Sequence, residues 1–129
     1  SDSESQECER ALQHLRDTIM VEGGNYIAAI ILEPVVGTNG ILVPPPGYLQ
    51  GVRDICDEHG IVMICDEVMA GFGRCGEWFA VDHWNVTPDL ICFAKGVNSG
   101  YVPLGGVIIS DRMVTGVLQT RINYIGFIV

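Results

Sequence analysis

The sequence predicts an α/β fold, in which a mostly parallel sheet is flanked by helices. Three continuous apolar runs, at residues 27–32, 61–65 and 90–94, have the character of strands buried on both faces of a parallel sheet. A helical pattern between Pro46 and Gly60 separates the first two runs, as a crossover between parallel strands requires. We therefore expect a sheet that is buried on both faces.

The remaining elements follow from the spacing of apolar residues. Residues 3–22 have apolar side chains three and four positions apart, which predicts an amphipathic helix that ends at Gly23 and Gly24. A glycine-rich loop is expected at residues 70–76, an aromatic segment at 78–84 and a last strand at 107–109. The stripe of the helix after Pro46 consists of Leu49, Val52, Ile55 and Cys56.

Composition limits the class of protein. The 129 residues, 48% hydrophobic and 18% charged, suit a single folded globular domain. The net charge is −9 and the arginines are scattered, so we expect no nucleic-acid partner. The apolar runs are too short to cross a membrane, and residues 1–10 lack the character of a signal peptide. Five cysteines without metal or redox spacing favour a cytoplasmic location.

Ionisable residues follow each of the three strands. Glu33 follows the first run, Asp66 the second, and Lys95, which is the only lysine, the third. Ligands of parallel sheets bind outside the carboxyl ends of the strands. We therefore expect these side chains to face one crevice.

A lysine and an aspartate in one crevice suit a particular chemistry. The amine can form a Schiff base with an aldehyde, and the carboxylate can keep a pyridine nitrogen protonated. Two simpler interpretations stay open. Lys95 can be a surface residue beyond the strand, and Asp66 can be a loop or capping residue.

Longer segments carry a resemblance to a known family. Residues 63–74 read MICDEVMAGFGR, residues 88–96 read PDLICFAKG, and residues 33–40 read EPVVGTNG. With this spacing, the sequence resembles the class III pyridoxal-phosphate-dependent aminotransferases over about residues 27–110. The resemblance implies that residues 1–129 form one domain, which is part of the large domain of fold-type I enzymes.

The resemblance also implies roles for individual residues. Lys95 would hold pyridoxal 5'-phosphate through a Schiff base and transfer the protons of the reaction, while Asp66 would pair with the pyridine nitrogen. Val68 would pack against the ring, although core packing explains a valine there nearly as well. Glu33 would pair with an arginine from the C-terminal region of the family, as a switch between two substrate types.

Several further positions have two interpretations. Arg74 would bind a substrate carboxylate or brace its loop by hydrogen bonds to carbonyl groups. The aromatic residues of segment 78–84 would line a pocket, or lie in the core or a subunit interface. Val36 stands where many members have glutamine, which resembles the members that use ω-amino acids, taurine or amines with pyruvate. No chemistry is assigned to the three histidines, and no metal site is expected.

The implied activity is transamination between an amino donor and a 2-oxo acid such as pyruvate. Complete members of the family are considerably longer, and residues 114–129 lose the resemblance. The phosphate-binding cup and the carboxylate-binding arginine of the family are not recognised in this sequence. A non-catalytic module that folds or oligomerises therefore remains the alternative, and a decarboxylase or aminomutase would share Asp66 and Lys95. Exposed sheet edges predict a homo-oligomer.

Overall fold

The computed structural model describes residues 2–120, which form a four-stranded sheet and three helices. The strand order is β1-β2-β3-β4; β1 and β3 run parallel to β2, and β4 is antiparallel to β3. The predicted α/β fold with a mostly parallel sheet is therefore confirmed. The elements are α1 (Asp2–Glu22), β1 (Ala29–Leu32), α2 (Tyr48–His59), β2 (Val62–Asp66), β3 (Leu90–Phe93), β4 (Gly106–Ile109) and α3 (Asp111–Thr120).

Helix α2 forms as the sequence predicts. Its four stripe residues are buried in the core against β2, and burying each such side chain contributes roughly 1.5–3 kcal/mol. The helix ends at Gly60, whose φ of 66° lies in the left-handed region that favours glycine at a helix end. Ile61 then donates its backbone N–H to the carbonyl of Cys56 over 2.8 Å, and the chain turns directly into β2.

Helices α1 and α2 cover one face of the sheet. Met63 and Cys65 point to that face and are 0% exposed, whereas Ile31 and Val107 on the other face are 63% and 51% exposed. The expectation that both faces are buried is wrong for the described residues, because α1 and α2 pack on the same side. An apolar run shows that a strand can be buried, and it does not show which segment covers it.

Strand ends differ slightly from the prediction. β1 begins at Ala29 because residues Gly24–Tyr26 form a short 3-10 turn before it. The sequence did not predict α3, which begins after Ser110, whose carbonyl accepts hydrogen bonds from two backbone N–H groups of its first turn. Of residues 114–129, in which we expected the resemblance to be lost, residues 121–129 lie outside the described residues. No helix within residues 2–120 is long and apolar enough to span a membrane.

A buried ion-pair network joins α2, β2, β3 and α3. Asp89 is 2% exposed, and its Oδ2 accepts hydrogen bonds from the Met63 N–H at 2.8 Å and from Arg53 at 2.9 Å. Arg112 contacts the other oxygen at 2.6 Å. Burial alone would raise the pKa of Asp89, but the Met63 N–H and the two guanidinium groups outweigh it and hold the pKa below its usual value.

We expect Asp89→Ala to lower the free energy of unfolding by about 3–5 kcal/mol, because Arg53 and the Met63 N–H lose a buried partner. The pKa of Asp89 is lower in the folded state, so this stabilisation is present above the ordinary pKa of 3.8 and is lost as the pH falls through the folded value. Urea unfolding at several pH values measures both effects.

Asp54→Ala is the matched control, since Asp54 is an exposed aspartate on α2, the helix that carries Arg53. Its effect should stay within about 0.5 kcal/mol. Equal losses in the two variants would contradict the proposed network.

Candidate active site

The parallel pairing of β2 with β3 brings two ionisable residues to one edge of the sheet. Asp66 ends β2 and its Cα pairs with Cys92 of β3, while the next residue, Glu67, donates its N–H to the Cys92 carbonyl over 2.9 Å. Lys95 follows Cys92 by three residues, which is at most about 10 Å of extended chain. The structure therefore places Asp66 and Lys95 at the same edge of the sheet, where the adjacent strands β2 and β3 end.

Lys95 is held in an unusual backbone conformation. It is exposed, and its φ of 43° lies in the left-handed region, which costs a residue other than glycine roughly 1–2 kcal/mol. Its carbonyl accepts the N–H of Ser99 over 3.1 Å, which closes a tight turn. A Cβ at Gly96 would lie 2.9 Å from the Cβ of Phe72, so the loops that carry these two residues are in direct contact. Strained residues of this kind are concentrated at functional sites.

Asp66 is half-buried and keeps one carboxylate oxygen available. Its Oδ1 accepts the N–H of Val68 over 3.0 Å. Asp66 therefore stabilises its loop through Oδ1, as the simpler interpretation predicted, and only through this oxygen. No residue within 2–120 donates a hydrogen bond to its Oδ2. Burial, followed by the nearby charge of Asp66, raises the pKa of the Cys92 thiol. Val68 is itself half-buried beside this carboxylate.

Glu33 stabilises the loop that follows β1. Its Oε2 accepts the N–H of Gly37 over 2.8 Å. Gly37 is buried, and a Cβ there would lie 2.5 Å from the Sδ of Met69, so no larger residue fits without a shift. Val36 and Leu42 exchange two backbone hydrogen bonds and close this loop into a small hairpin. The arginine that the resemblance pairs with Glu33 belongs to a region that the described residues do not include.

Arg74 and the aromatic segment lie on the next loop. Arg74 is exposed and forms no hydrogen bond or ion pair within residues 2–120, so its guanidinium does not brace the loop. Phe79 and Trp84 pack against the core, as one of the two interpretations predicted. Trp78 is 71% exposed and packs edge-to-face on Phe72, with ring centroids 6.2 Å apart.

Glu67 is a buried residue of this site that the sequence reasoning did not identify. It is 0% exposed, and its two carboxylate oxygens accept the N–H groups of Ala80 and Val81, each over 2.9 Å. Burial raises the pKa of Glu67; these two hydrogen bonds lower it by less, and the negative charges of Asp82 and Asp66 add to the rise. The available signal in the sequence was a second acidic residue directly after the aspartate that ends an apolar strand.

We expect Glu67→Ala to lower the free energy of unfolding by about 1–3 kcal/mol per unpaired N–H group. The folded pKa of Glu67 is raised above 4.5, so the folded state binds more protons there than the unfolded state. The titration of Glu67 therefore stabilises the folded state fully below pH 4.5. This stabilisation is lost as the pH rises through the folded pKa.

Thermal or urea unfolding across acidic to neutral pH measures this, with Glu67→Gln as the variant that cannot titrate. Glu77→Gln on the exposed part of the same loop is the control. If the wild type and Glu67→Gln show the same pH dependence, the raised pKa is wrong.

Comparisons with known proteins agree with this geometry. Residues 1–120 match the family described as aminotransferase class III, which extends the resemblance beyond residues 27–110 in both directions. The taurine:2-oxoglutarate aminotransferase of Bifidobacterium kashiwanohense, solved with PLP and glutamate, is 45% identical, with a TM-score of 0.90 over 96% of this chain. An (S)-enantioselective omega-transaminase from Thermomicrobium roseum is 41% identical, with a TM-score of 0.89 over 97% of this chain.

An omega-transaminase of Pseudomonas jessenii, solved with PMP, is 30% identical, with a TM-score of 0.87 over 98% of this chain. The chain belongs to the class III aminotransferase family, whose members depend on pyridoxal phosphate. It spans 28% of the length of each of these three structures. The match therefore concerns one part of the aminotransferase fold.

Proposed function

We propose that this chain is the lysine-bearing part of a pyridoxal-phosphate-dependent transaminase. The reaction would move an amino group from an ω-amino acid, taurine or an amine to a 2-oxo acid such as pyruvate. One observation carries the proposal: Asp66 and Lys95 lie at the ends of adjacent parallel strands, and within residues 2–120 the Oδ2 of Asp66 accepts no hydrogen bond and the Lys95 amine forms no ion pair. The taurine and omega-transaminases among the similar structures support the substrate class.

The residues present fit the ring and aldehyde of the cofactor. The Oδ2 of Asp66 has the acceptor capacity that a protonated pyridine nitrogen needs. The amine of Lys95 has no ion pair within residues 2–120 and is exposed, so an aldehyde can reach it. Val68, half-buried next to Asp66, is available to pack against a ring face. These three residues are the part of the proposed cofactor site that this chain would supply.

Each residue has a distinct task in the proposed reaction. When bound, pyridoxal phosphate supplies an aldehyde and a ring that takes up electrons from the bond being broken. Asp66 would keep a proton on the ring nitrogen and so maintain the positive charge there. Lys95 would hold the cofactor through its Nζ, and the same Nζ would take a proton from the substrate carbon that bears the amino group and return it one position further along. Glu67 and the strained turn at Lys95 hold these groups in position.

The exposed apolar face of the sheet supports a further part of the proposal. Ile31 and Val107 lie on that face with more than half of each side chain exposed, at 63% and 51%. Exposed apolar surface and unpaired sheet edges favour association with other chains. We therefore include homo-oligomer formation in the proposal. A cytoplasmic location is also proposed, on the ground of the cysteine pattern. The alternative of a non-catalytic, self-associating module is separated by the following test.

We expect the purified chain to develop a visible absorption band with pyridoxal phosphate, and borohydride to fix the added mass on Lys95. The band should disappear in Lys95→Ala, because the sequence contains no other lysine. Asp66→Asn should weaken cofactor binding by about tenfold or more, since a hydrogen bond to a charged group contributes about 1.5–3 kcal/mol. Asp54→Asn, an exposed substitution of the same kind, is the control.

Addition of taurine or β-alanine should then bleach the band, and pyruvate should restore it. A band that survives in Lys95→Ala would refute the assignment of Lys95. A band on Lys95 that no amino donor bleaches would instead support the non-catalytic module.

A further inference from the structure

A groove lies between the first three turns of α1 and residues 42–46. It consists of two adjoining cavities, an inner one of about 330 Å³ and an outer one of about 600 Å³. Four residues line both cavities: Glu7, Val43, Pro44 and Pro45. We call the two together the α1 groove. The inner cavity alone reaches the roughly 300 Å³ at which pockets for small organic ligands begin.

The two long walls of the α1 groove differ in character. One wall is a single face of α1, because its residues are spaced three and four apart: Ser3, Glu4, Glu7, Cys8 and Ala11. The opposite wall is apolar and contains three consecutive prolines, Pro44, Pro45 and Pro46. Since the proline ring fixes φ, this wall is stiff. The groove therefore offers a carbon chain a preformed apolar surface.

The charged residues that line the α1 groove are all acidic. Glu4 and Glu7 line the outer cavity, and Glu7 and Glu33 line the inner one. Glu7 pairs with Arg10 at 3.1 Å, but both side chains are more than half exposed, so this pair contributes little. Glu33 gives its Oε2 to the Gly37 N–H, and within residues 2–120 its Oε1 accepts no hydrogen bond. The groove therefore attracts positive charge along its length.

The inner cavity also contains polar atoms without partners. Cys8 is 8% exposed, and its thiol forms no hydrogen bond within the described residues 2–120. Burial, followed by the nearby Cys8, raises the pKa of Tyr48, so this phenol stays neutral and lies close to the thiol. Sulfur and phenolic oxygen both accept hydrogen bonds, and buried polar atoms normally have a partner. A ligand that donates N–H groups would supply one.

Trp84 lines the outer cavity. Its ring packs partly against the core, which holds it in place beside the prolines. The face of an indole ring attracts a cation within about 6 Å of its centre. Together with Glu4 and Glu7, Trp84 therefore suits an ammonium group that is attached to an apolar chain.

We propose that the α1 groove binds a linear organic dication, an aliphatic diamine or polyamine. One ammonium group lies near Glu33 and Tyr48 in the inner cavity, and the other lies near Glu7 and Trp84. The methylene chain between them packs against the prolines. Burying these methylene groups, together with the two ammonium–carboxylate pairs, favours a diamine over a monoamine of the same length.

The α1 groove is separate from the site of the proposed reaction. Neither Asp66 nor Lys95 lines it. Cys65 points to the face that α1 and α2 cover, so the side chain of the next residue, Asp66, points to the other face. A ligand in the groove therefore binds without transfer of an amino group.

An anion is the other charged ligand that can approach the first turn of a helix, where backbone N–H groups lack partners within the helix. In the α1 groove, three glutamates line the cavities and no basic side chain does so. Their charges outweigh the partial positive charge of the helix end, which favours a cation. An anion of matched length therefore serves as a separate arm of the test.

The test is a nuclear magnetic resonance titration of the full 129-residue chain without pyridoxal phosphate. It follows the two indole Nε1–H signals, which Trp78→Phe assigns. We expect cadaverine, a linear diamine, to shift the Trp84 signal saturably and to leave that of Trp78, which lines neither cavity, unchanged. Pentylamine, with the same carbon chain and one amino group, should bind about fivefold more weakly. Valerate, the acid of that length, should not shift the signal.

Glu7→Gln should weaken cadaverine binding about fivefold, because it removes one carboxylate from the groove. Glu9→Gln is the matched control, since Glu9 is exposed on the same helix and lines neither cavity. This control should leave the affinity within about twofold, because salt screens an exposed charge at a distance. Lys95→Ala should bind cadaverine as the wild type does.

Equal losses in Glu7→Gln and Glu9→Gln would show a general attraction of the acidic chain for cations and would overturn the inference. Saturable binding of valerate, a Trp78 shift as large as that of Trp84, or loss of binding in Lys95→Ala would overturn it as well. If cadaverine binds as expected while no absorption band forms at Lys95 with pyridoxal phosphate, the α1 groove stands and the proposed function fails.

Discussion

The parallel pairing of β2 with β3 is the constraint on which the site depends. In this register Asp66 pairs with Cys92, which fixes the distance between the carboxyl ends of β2 and β3. A slip of one residue would turn Asp66 to the helix-covered face, since successive side chains alternate across a sheet. The buried side chains Met63 and Cys65 resist such a slip, because they would then leave the core. Core packing therefore sets the position of Asp66 relative to β3.

The charged residues of the chain fall into two groups with different surroundings. Acidic groups that serve the structure are buried and satisfied: Asp89 by two arginines and a backbone N–H, and Glu67 by two backbone N–H groups. Within residues 2–120, the basic groups that form no ion pair, Lys95 and Arg74, lie on contacting loops at the carboxyl edge of the sheet. The chain is acidic overall, yet both of these cations lie at this edge.

Sequence reasoning predicted the elements whose signals are local. Helix α2 has both a single apolar stripe and a glycine at its end, and both features are present in the structure. The prediction that both sheet faces are buried was wrong for the described residues, because an apolar strand such as β1 carries no information about what covers it. Glu67 was missed for a similar reason: its partners, Ala80 and Val81, lie 13 and 14 residues away. Contacts at that distance leave no periodic pattern in a sequence.

The central claim is that Asp66 and Lys95 act on one molecule of cofactor. The nitrogen-15 chemical shift of the pyridine nitrogen in bound, isotope-labelled pyridoxal phosphate tests it directly, because this shift reports whether the nitrogen carries a proton. We expect a protonated nitrogen when the cofactor is attached to Lys95 in the wild type, and an unprotonated one in Asp66→Asn. The same shift in both proteins would contradict this expectation, since Asp66 would then not face the cofactor that Lys95 holds.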